Sequence, residues 1–188
     1  MDKEKIYNIL MSDDVLKSIN DNLDYLFSVI PELKFMVGFE HKHPHHHLDV
    51  WNHTLYALSL SLKDFDVRIS LLLHDIGKPF SFIDGEVRHF PNHPYVSSEM
   101  AYVILKRLNF DDDEINKICY LIKMHDTPIK DEEINNDEKL MKKRFLVQVC
   151  DAYAHNPSKL SKRKLYFAST YNKFKNNNNE ILELINRF

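Results

Sequence analysis

The chain has 188 residues, 44% hydrophobic and 28% charged, the composition of one well-buried domain with no need for a second. A net charge of −3 offers no basic field for a nucleic-acid backbone, which argues against extended docking on DNA or RNA but leaves a small nucleotide substrate open. Only three glycines occur, well below the usual share, so helices are expected rather than many tight turns.

Met1-Asp2-Lys3-Glu4-Lys5 lacks the apolar core of a signal peptide, and no apolar run approaches the roughly 18 residues that span a bilayer. Cys119 and Cys150 fall on apolar helix faces and read as reduced core thiols. A soluble, cytoplasmic protein with no membrane partner is expected.

In chain order, residues 3–29 carry a helical apolar repeat interrupted near Ser12-Asp13-Asp14, which predicts a helical hairpin with Ser12 or Asp13 as the second N-cap and Pro31 as the stop. A burst of histidine follows: His41, His43, His45, His46 and His47. It reads either as a surface loop that takes up metal opportunistically or as part of a site. Asp49 then caps a helix whose Val50, Trp51, Leu55, Leu58 and Leu62 form an apolar stripe, with His53 lying between stripe positions. Taken alone, an inward histidine is more often a hydrogen-bonded core residue than a ligand.

Asp64 or Asp66 starts the next helix, which carries Val67, Ile69, Leu71 and Leu72 to His74-Asp75 on its last turn. Gly77 and Pro79 end it, with Lys78 just beyond. A His-Asp pair at the rim of an apolar segment must find partners or cost several kcal/mol, and a divalent cation satisfies both groups. The short connection predicts antiparallel packing, which brings His53 towards His74 and Asp75.

Residues 80–92 are the strand-like piece, expected to form a small hairpin with a type I′ turn at Asp84-Gly85, a natural lid beside Lys78. His93 stands at the mouth of a helix running to about Leu108, with Val96, Met100, Val103, Ile104 and Leu108 as its core face. Asp111-Asp112-Asp113 reads as a cap and dipole partner for a further helix. Ile115, Ile118, Ile122 and His125 share one face of that helix, which stops before Pro128, and residues 129–138 read as polar loop.

The helix from Glu138 to Ala154 buries Leu140, Met141, Phe145, Val149 and Tyr153, beside a second stripe of Arg144, Gln148, Asp151 and His155. Such a stripe is usually solvated, but Asp151 sits among Cys150 and Ala152-Tyr153-Ala154 and is expected to be buried; a buried carboxylate needs a cation or strong donors. Helices over 159–171 and 180–188 follow, separated by Asn176–Asn179, with no assignable chemistry.

His53, His74-Asp75 and the late Asp151 make the ordered pattern H…HD…D, and over about residues 40–156 the chain resembles the HD-domain metal-dependent phosphohydrolase superfamily. The segments His46-His47-Leu48-Asp49-Val50-Trp51-Asn52-His53-Thr54-Leu55, His74-Asp75-Ile76-Gly77-Lys78-Pro79 and His93-Pro94-Tyr95-Val96-Ser97 are similar to the branch fused to bacterial tRNA nucleotidyltransferases, together with its stand-alone relatives. The resemblance implies an all-α HD-domain helical bundle, to which the strand-like run adds the small hairpin lid near residues 80–90. The expected organisation is one HD domain over 1–188: an N-terminal helical hairpin (1–38), the HD core (40–156) and C-terminal helices (157–188).

The resemblance further implies that His53, His74, Asp75 and Asp151 ligate a first metal, and that His93 and His125 hold a second, with Asp75 bridging. Mixed imidazole and carboxylate ligation suits iron, manganese, nickel, cobalt or zinc, with magnesium still open. One metal, with His93 and His125 touching phosphate, is the alternative. Asp75 and Lys78 are the catalytic candidates: Asp75 to orient the attacking water, Lys78 to neutralise charge on the phosphoryl group, unless it is merely an exposed helix-end lysine. Arg144 is a weaker version of the same idea. Ser97 reads equally as a substrate contact or a helix-start hydrogen bonder, and His46 as a support behind the ligands.

The sequence lacks the Gly-Tyr-Pro extension of cyclic-di-guanylate phosphodiesterases and the Glu-Asp pair of alarmone hydrolases. The residues before the domain are too few for a nucleotidyltransferase head, so CCA addition by these 188 residues alone is not expected. The expected function is metal-dependent hydrolysis of phosphate mono- or diesters of nucleotides. Substrates of the 2′,3′-cyclic phosphodiesterase or 2′-nucleotidase kind come first, then deoxynucleoside monophosphates and dinucleoside tetraphosphates. A tRNA end is left open by the resemblance but not indicated by charge. The competing readings are a non-catalytic nucleotide- or metal-binding regulatory module and a purely structural helical domain. Substrate identity, metal identity and oligomeric state are not encoded in any motif.

Overall fold

The computed structural model describes residues 2–175 and 178–187. Asn176 and Asn177 of the expected spacer, and Phe188 of the last expected helix, lie outside the described residues. The first three helices are short: α1 Asp2–Leu10, α2 Val15–Asp21 and α3 Leu23–Val29. The expected hairpin is therefore divided, because Asn22 separates α2 from α3, and Asp14 rather than Ser12 or Asp13 caps α2 by accepting from Lys17 N at 2.9 Å.

A 3₁₀ turn over Pro31–Met36 leads to the histidine-rich loop and then to α4, Val50–Leu60. Asp49 caps α4 by accepting from Asn52 N at 2.9 Å. Asp64 caps α5, Phe65–Leu73, by accepting from Val67 N at 3.1 Å. The remaining helices are α6 His93–Arg107, α7 Asp112–Lys123, α8 Asp131–Asn136, α9 Glu138–Tyr153, α10 Ser161–Tyr171 and α11 Asn179–Asn186.

Every residue of α5 from Val67 to Leu73 is buried, and α1, α4, α6, α7 and α9 pack around it. A helix apolar all round belongs in the centre, where each leucine of Leu71-Leu72-Leu73 contributes about 1.5–3 kcal/mol by leaving water. The one charged residue in that run, Arg68, donates to the carbonyls of Leu10 (2.6 Å) and Ser12 (2.8 Å) at the end of α1. At the other boundary, Lys143 of α9 pairs with Asp64 and Asp66, and Lys117 of α7 reaches Asp66 at 2.9 Å, so three helices are tied at one corner. The helix stops at Leu73, earlier than expected, with His74 as its cap residue and a 3₁₀ turn over Lys78–Phe80.

The hairpin lid is not formed. Among the described residues 80–90 a single antiparallel bridge joins Ile83 and His89, and neither Asp84 nor Gly85 has the positive φ of a type I′ turn. Arg88 is the reason: its N–H donates to Lys42 O (3.1 Å) and its guanidinium to Glu40 O (2.7 Å), so beyond the one bridge the segment is tied to the 40–42 loop, with Asp84 Oδ1 (3.0 Å) holding the same guanidinium from within.

Two further expectations change. Residues 131–136 are helical rather than loop, because Glu133 accepts from Lys130 N at 2.8 Å and Ile134 anchors the turn in the core. On α6, Ile104 and Leu108 are buried as expected, but Val103 is 59% exposed and Ser97, Ser98, Ala101 and Leu105 share the inner face in its place. No helix among the described residues is long and apolar enough to cross a membrane.

Candidate metal centre

Helix ends converge on one point beside the C-terminus of α5. His53 comes from the first turns of α4, His74 and Asp75 from the exit of α5, His93 from the first residue of α6, His125 from just beyond α7, and Asp151 from the last turn of α9. His53 Nε2 lies 2.9 Å from Asp151 Oδ1 and 3.6 Å from Asp75 Oδ2. His74 Nε2 lies 3.3 Å from Asp75 Oδ2 and 3.5 Å from Asp151 Oδ1. The other oxygen of Asp75 faces the opposite way: His93 Nε2 is 3.4 Å from Oδ1. The His125 ring lies 5.3 Å from that of His93 and 5.1 Å from that of His74.

The imidazoles share one orientation. Each places Nδ1 against a backbone carbonyl: His53 on Ala154 (3.2 Å), His74 on Leu71 (2.7 Å), His93 on Phe90 (3.1 Å) and His125 on Ile122 (2.6 Å). A carbonyl can only accept, so Nδ1 carries a proton and Nε2 points into the cluster, where it is the nitrogen a metal would take. His74 Nε2 and both oxygens of Asp75 are buried without a hydrogen-bond partner. Their cost is offset only by charge.

The electrostatics state the same need. Burial opposes the charged form of Asp75, yet His74 and Lys78 hold its carboxyl well below the usual carboxylate range. Burial likewise opposes ionisation of Asp151, which the surrounding imidazoles of His155, His53 and His74 nevertheless keep well below that range. For His74 burial lowers the pKa, but the adjacent Asp75 and Asp151 outweigh it and raise it to about 10. Two buried carboxylates thus draw positive charge to one place. Donor atoms within 4.8 Å of one another form the groups His53, His74 and Asp75; Asp75, His93 and His125; and His125, Asp126 and Asp151. Imidazole nitrogens and carboxylate oxygens at this spacing fit a divalent metal.

Residues 45–156 match the HD domain family. The chain belongs to the HD-domain family. Its curated relatives include the CC-adding tRNA nucleotidyltransferase of Thermus thermophilus, 30% identical over 133 residues, and the A-adding tRNA nucleotidyltransferase of Deinococcus radiodurans, 32% identical over 133 residues. Each match covers 65% of this chain and 30% of the relative, so the chain spans about 30% of the length of these proteins.

Around the cluster of this HD domain, Lys78 is buried, not an exposed helix-end lysine: its Nζ lies 2.7 Å from Asp75 Oδ2 and 3.1 Å from His41 Nε2. Two candidates have other work. Arg144 is fully buried and donates to the carbonyls of Met124 (3.1 Å), Thr127 (2.6 Å) and Pro128 (3.3 Å), with Glu133 at 2.8 Å, so its guanidinium fixes the α7–α8 connection and has no face left for a phosphoryl group. Ser97 is the helix-start hydrogen bonder rather than a substrate contact, its Oγ accepting from Gly77 N at 2.9 Å.

Sequence reasoning missed His41, Asp126 and His155. His41 looked like one of five loop histidines, but it is buried, donates Nδ1–H to Leu48 O at 2.8 Å and stacks on His46 at 3.7 Å. Asp126 Oδ2 lies 3.4 Å from His93 Nε2. His155 packs between His46 (4.3 Å) and His53 (5.2 Å). The four-residue step from Asp151 to His155 was the available signal. His45 and His47 remain exposed.

Proposed function

We propose that this HD domain is a metal-dependent phosphohydrolase that cleaves phosphate mono- or diesters of nucleotides. The observation that carries the reading is Asp75, a buried carboxylate with one oxygen toward His53 and His74 and the other toward His93. In this reading His53, His74, Asp75 and Asp151 hold one divalent transition metal, and Asp75, His93 and His125 hold a second. Bound there, such metals polarise phosphoryl oxygens and lower the pKa of water.

The chain's own residues do the rest. Asp75 fixes both halves of the site relative to one another. Lys78 presents a cation beside Asp75 where negative charge grows on a phosphoryl group, and the buried setting strengthens that interaction. The backbone carbonyls on Nδ1 keep four imidazoles from rotating out of the site. Membership of the HD family and similarity to tRNA nucleotidyltransferases support a nucleotide substrate, with 2′,3′-cyclic phosphodiesters and 2′-nucleotides the first class to test and a tRNA end the larger alternative.

The experiment is turnover of an aryl phosphate and of cyclic, 2′-, 3′- and 5′-nucleotides by the manganese-loaded protein, beside Asp75→Ala. Hydrolysis that disappears in the variant is expected. Tight nucleotide or metal binding with no turnover of any ester would instead make the domain a regulatory module.

A further inference from the structure

Two clefts meet at the cluster and share His125, Asp126, Asp151 and Arg163 in their walls. One, of about 620 Å³, is polar and includes Lys78, His93 and His155. The other, of about 480 Å³, runs along Thr127, Pro128, Tyr166 and Phe167. Gln148 also lines it, but its amide N–H groups are given to Thr127 O (2.6 Å) and Met124 O (3.3 Å), and its Oε1 accepts from the Tyr166 hydroxyl at 3.3 Å. The polar atoms of that wall are thus largely satisfied within the protein.

Arg163 stands on the boundary. Its Nη1 donates to His155 Nδ1 at 2.7 Å, a neutral acceptor, because a guanidinium has no lone pair to offer. The other cations near the clefts are matched: Lys78 by Asp75 at 2.7 Å and Arg88 by Asp84 at 3.0 Å. Among the described residues no carboxylate lies within ion-pair distance of Arg163. A half-buried guanidinium held by one neutral bond, beside a cluster already occupied by carboxylates, has donors and charge left for an incoming anion.

We infer that Arg163 is a substrate-binding residue that grips phosphoryl oxygen at the boundary of the two clefts, and that the substrate's ring-bearing organic group lies in the cleft along Thr127 and Tyr166. This deepens the phosphohydrolase reading and rests on it for the word substrate. It names an organic phosphate with an uncharged sugar or base, rather than a polyphosphate chain, as the class that fits. Thr127 is exposed at the cleft and is held by its backbone, the carbonyl accepting from Arg144 and Gln148 and the N–H donating to Met124 O, so its side chain is free to be enlarged.

The test is calorimetric titration of inorganic phosphate, and separately of adenosine 2′-, 3′- and 5′-monophosphates, into the manganese-loaded chain. Arg163→Gln is expected to weaken phosphate and nucleotide alike by about 10- to 100-fold, with Arg163→Lys recovering part of the loss and metal content unchanged. Thr127→Trp is expected to weaken every nucleotide about tenfold or more while phosphate binds as before. Unchanged phosphate affinity in Arg163→Gln, no phosphate binding by the wild type, or nucleotide affinity indifferent to Thr127→Trp overturns the inference. Arg163-dependent binding without hydrolysis of any ester leaves the inference standing and removes the hydrolase reading, so the two fail separately.

Discussion

Lys78 and Asp75 form a buried ion pair of 2.7 Å on the same carboxylate oxygen that faces His53 and His74. His41 completes the lysine's setting: with Nδ1–H given to Leu48 O, its Nε2 accepts from Lys78 Nζ at 3.1 Å. Lys78→Met should lower kcat on an aryl phosphate by about 100-fold or more, as loss of one charge-stabilising donor does elsewhere. His41→Ala should give a smaller drop, about tenfold. Metal analysis run in parallel should show occupancy retained in both; loss of metal from either would assign it to the ligand set instead.

Asp75 touches both histidine groups, whereas His93 touches only one. Elemental analysis of protein purified without an affinity column should find transition metal in the wild type, almost none in Asp75→Ala and about half in His93→Ala. Equal losses in the two variants would count against two cations sharing Asp75.

Metal uptake should also depend on pH. In the metal-free protein burial pushes the His74 pKa down, but Asp75 and Asp151 carry it up to about 10, above the ordinary imidazole value. That protonated ring stabilises the metal-free fold fully below about pH 6.5, and the contribution is lost as pH rises through about 10. A metal needs the neutral ring, so its apparent affinity should rise with pH across that window and proton release should accompany binding. Affinity that falls between pH 6 and 8 would contradict this.

Arg144 is fully buried, and its removal takes the cationic partner from Glu133 and one donor from each of the carbonyls of Met124, Thr127 and Pro128. Arg144→Met should destabilise the protein by roughly 3–5 kcal/mol in urea denaturation, the usual cost of breaking one side of a buried pair. Because His125 lies beside that connection, the folded fraction should also bind metal more weakly. A variant of normal stability with a raised KM would restore Arg144 as a substrate contact.

Gly77 has no room for a side chain. A Cβ there would meet Ser97 N at 2.6 Å and Ser97 Oγ at 2.9 Å, one a backbone atom at the start of α6. Gly77→Ala should therefore cost about 1–3 kcal/mol and depress turnover by shifting Lys78, its neighbour. An unaltered melting temperature would show that α6 yields freely.

Local chemistry accounts for what could be read in advance. Asp49, Asp64 and Asp111 cap helices within three residues of themselves, and the face shared by Ile115, Ile118, Ile122 and His125 follows from helical period alone. The same period failed on α6, where Val103 turned outward, because Leu105, about 200° around the helix, offered an equally apolar residue for the inner face. It failed again at 80–90, where Arg88 found carbonyls on another loop.

The resemblance to HD domains, carried by the order of the motifs, nominated His53, His74, Asp75, His93, His125 and Asp151; the cost of burying imidazoles and carboxylates added a physical reason for the His74-Asp75 pair and Asp151. Only packing decided which oxygen of Asp75 faces which histidine. It also decided that Arg144 spends its donors on carbonyls while Arg163 keeps its own. Such choices depend on partners as far apart in the chain as His53 and Asp151, 98 residues, and a hydrogen bond over that separation exists only once the helices between have taken their places.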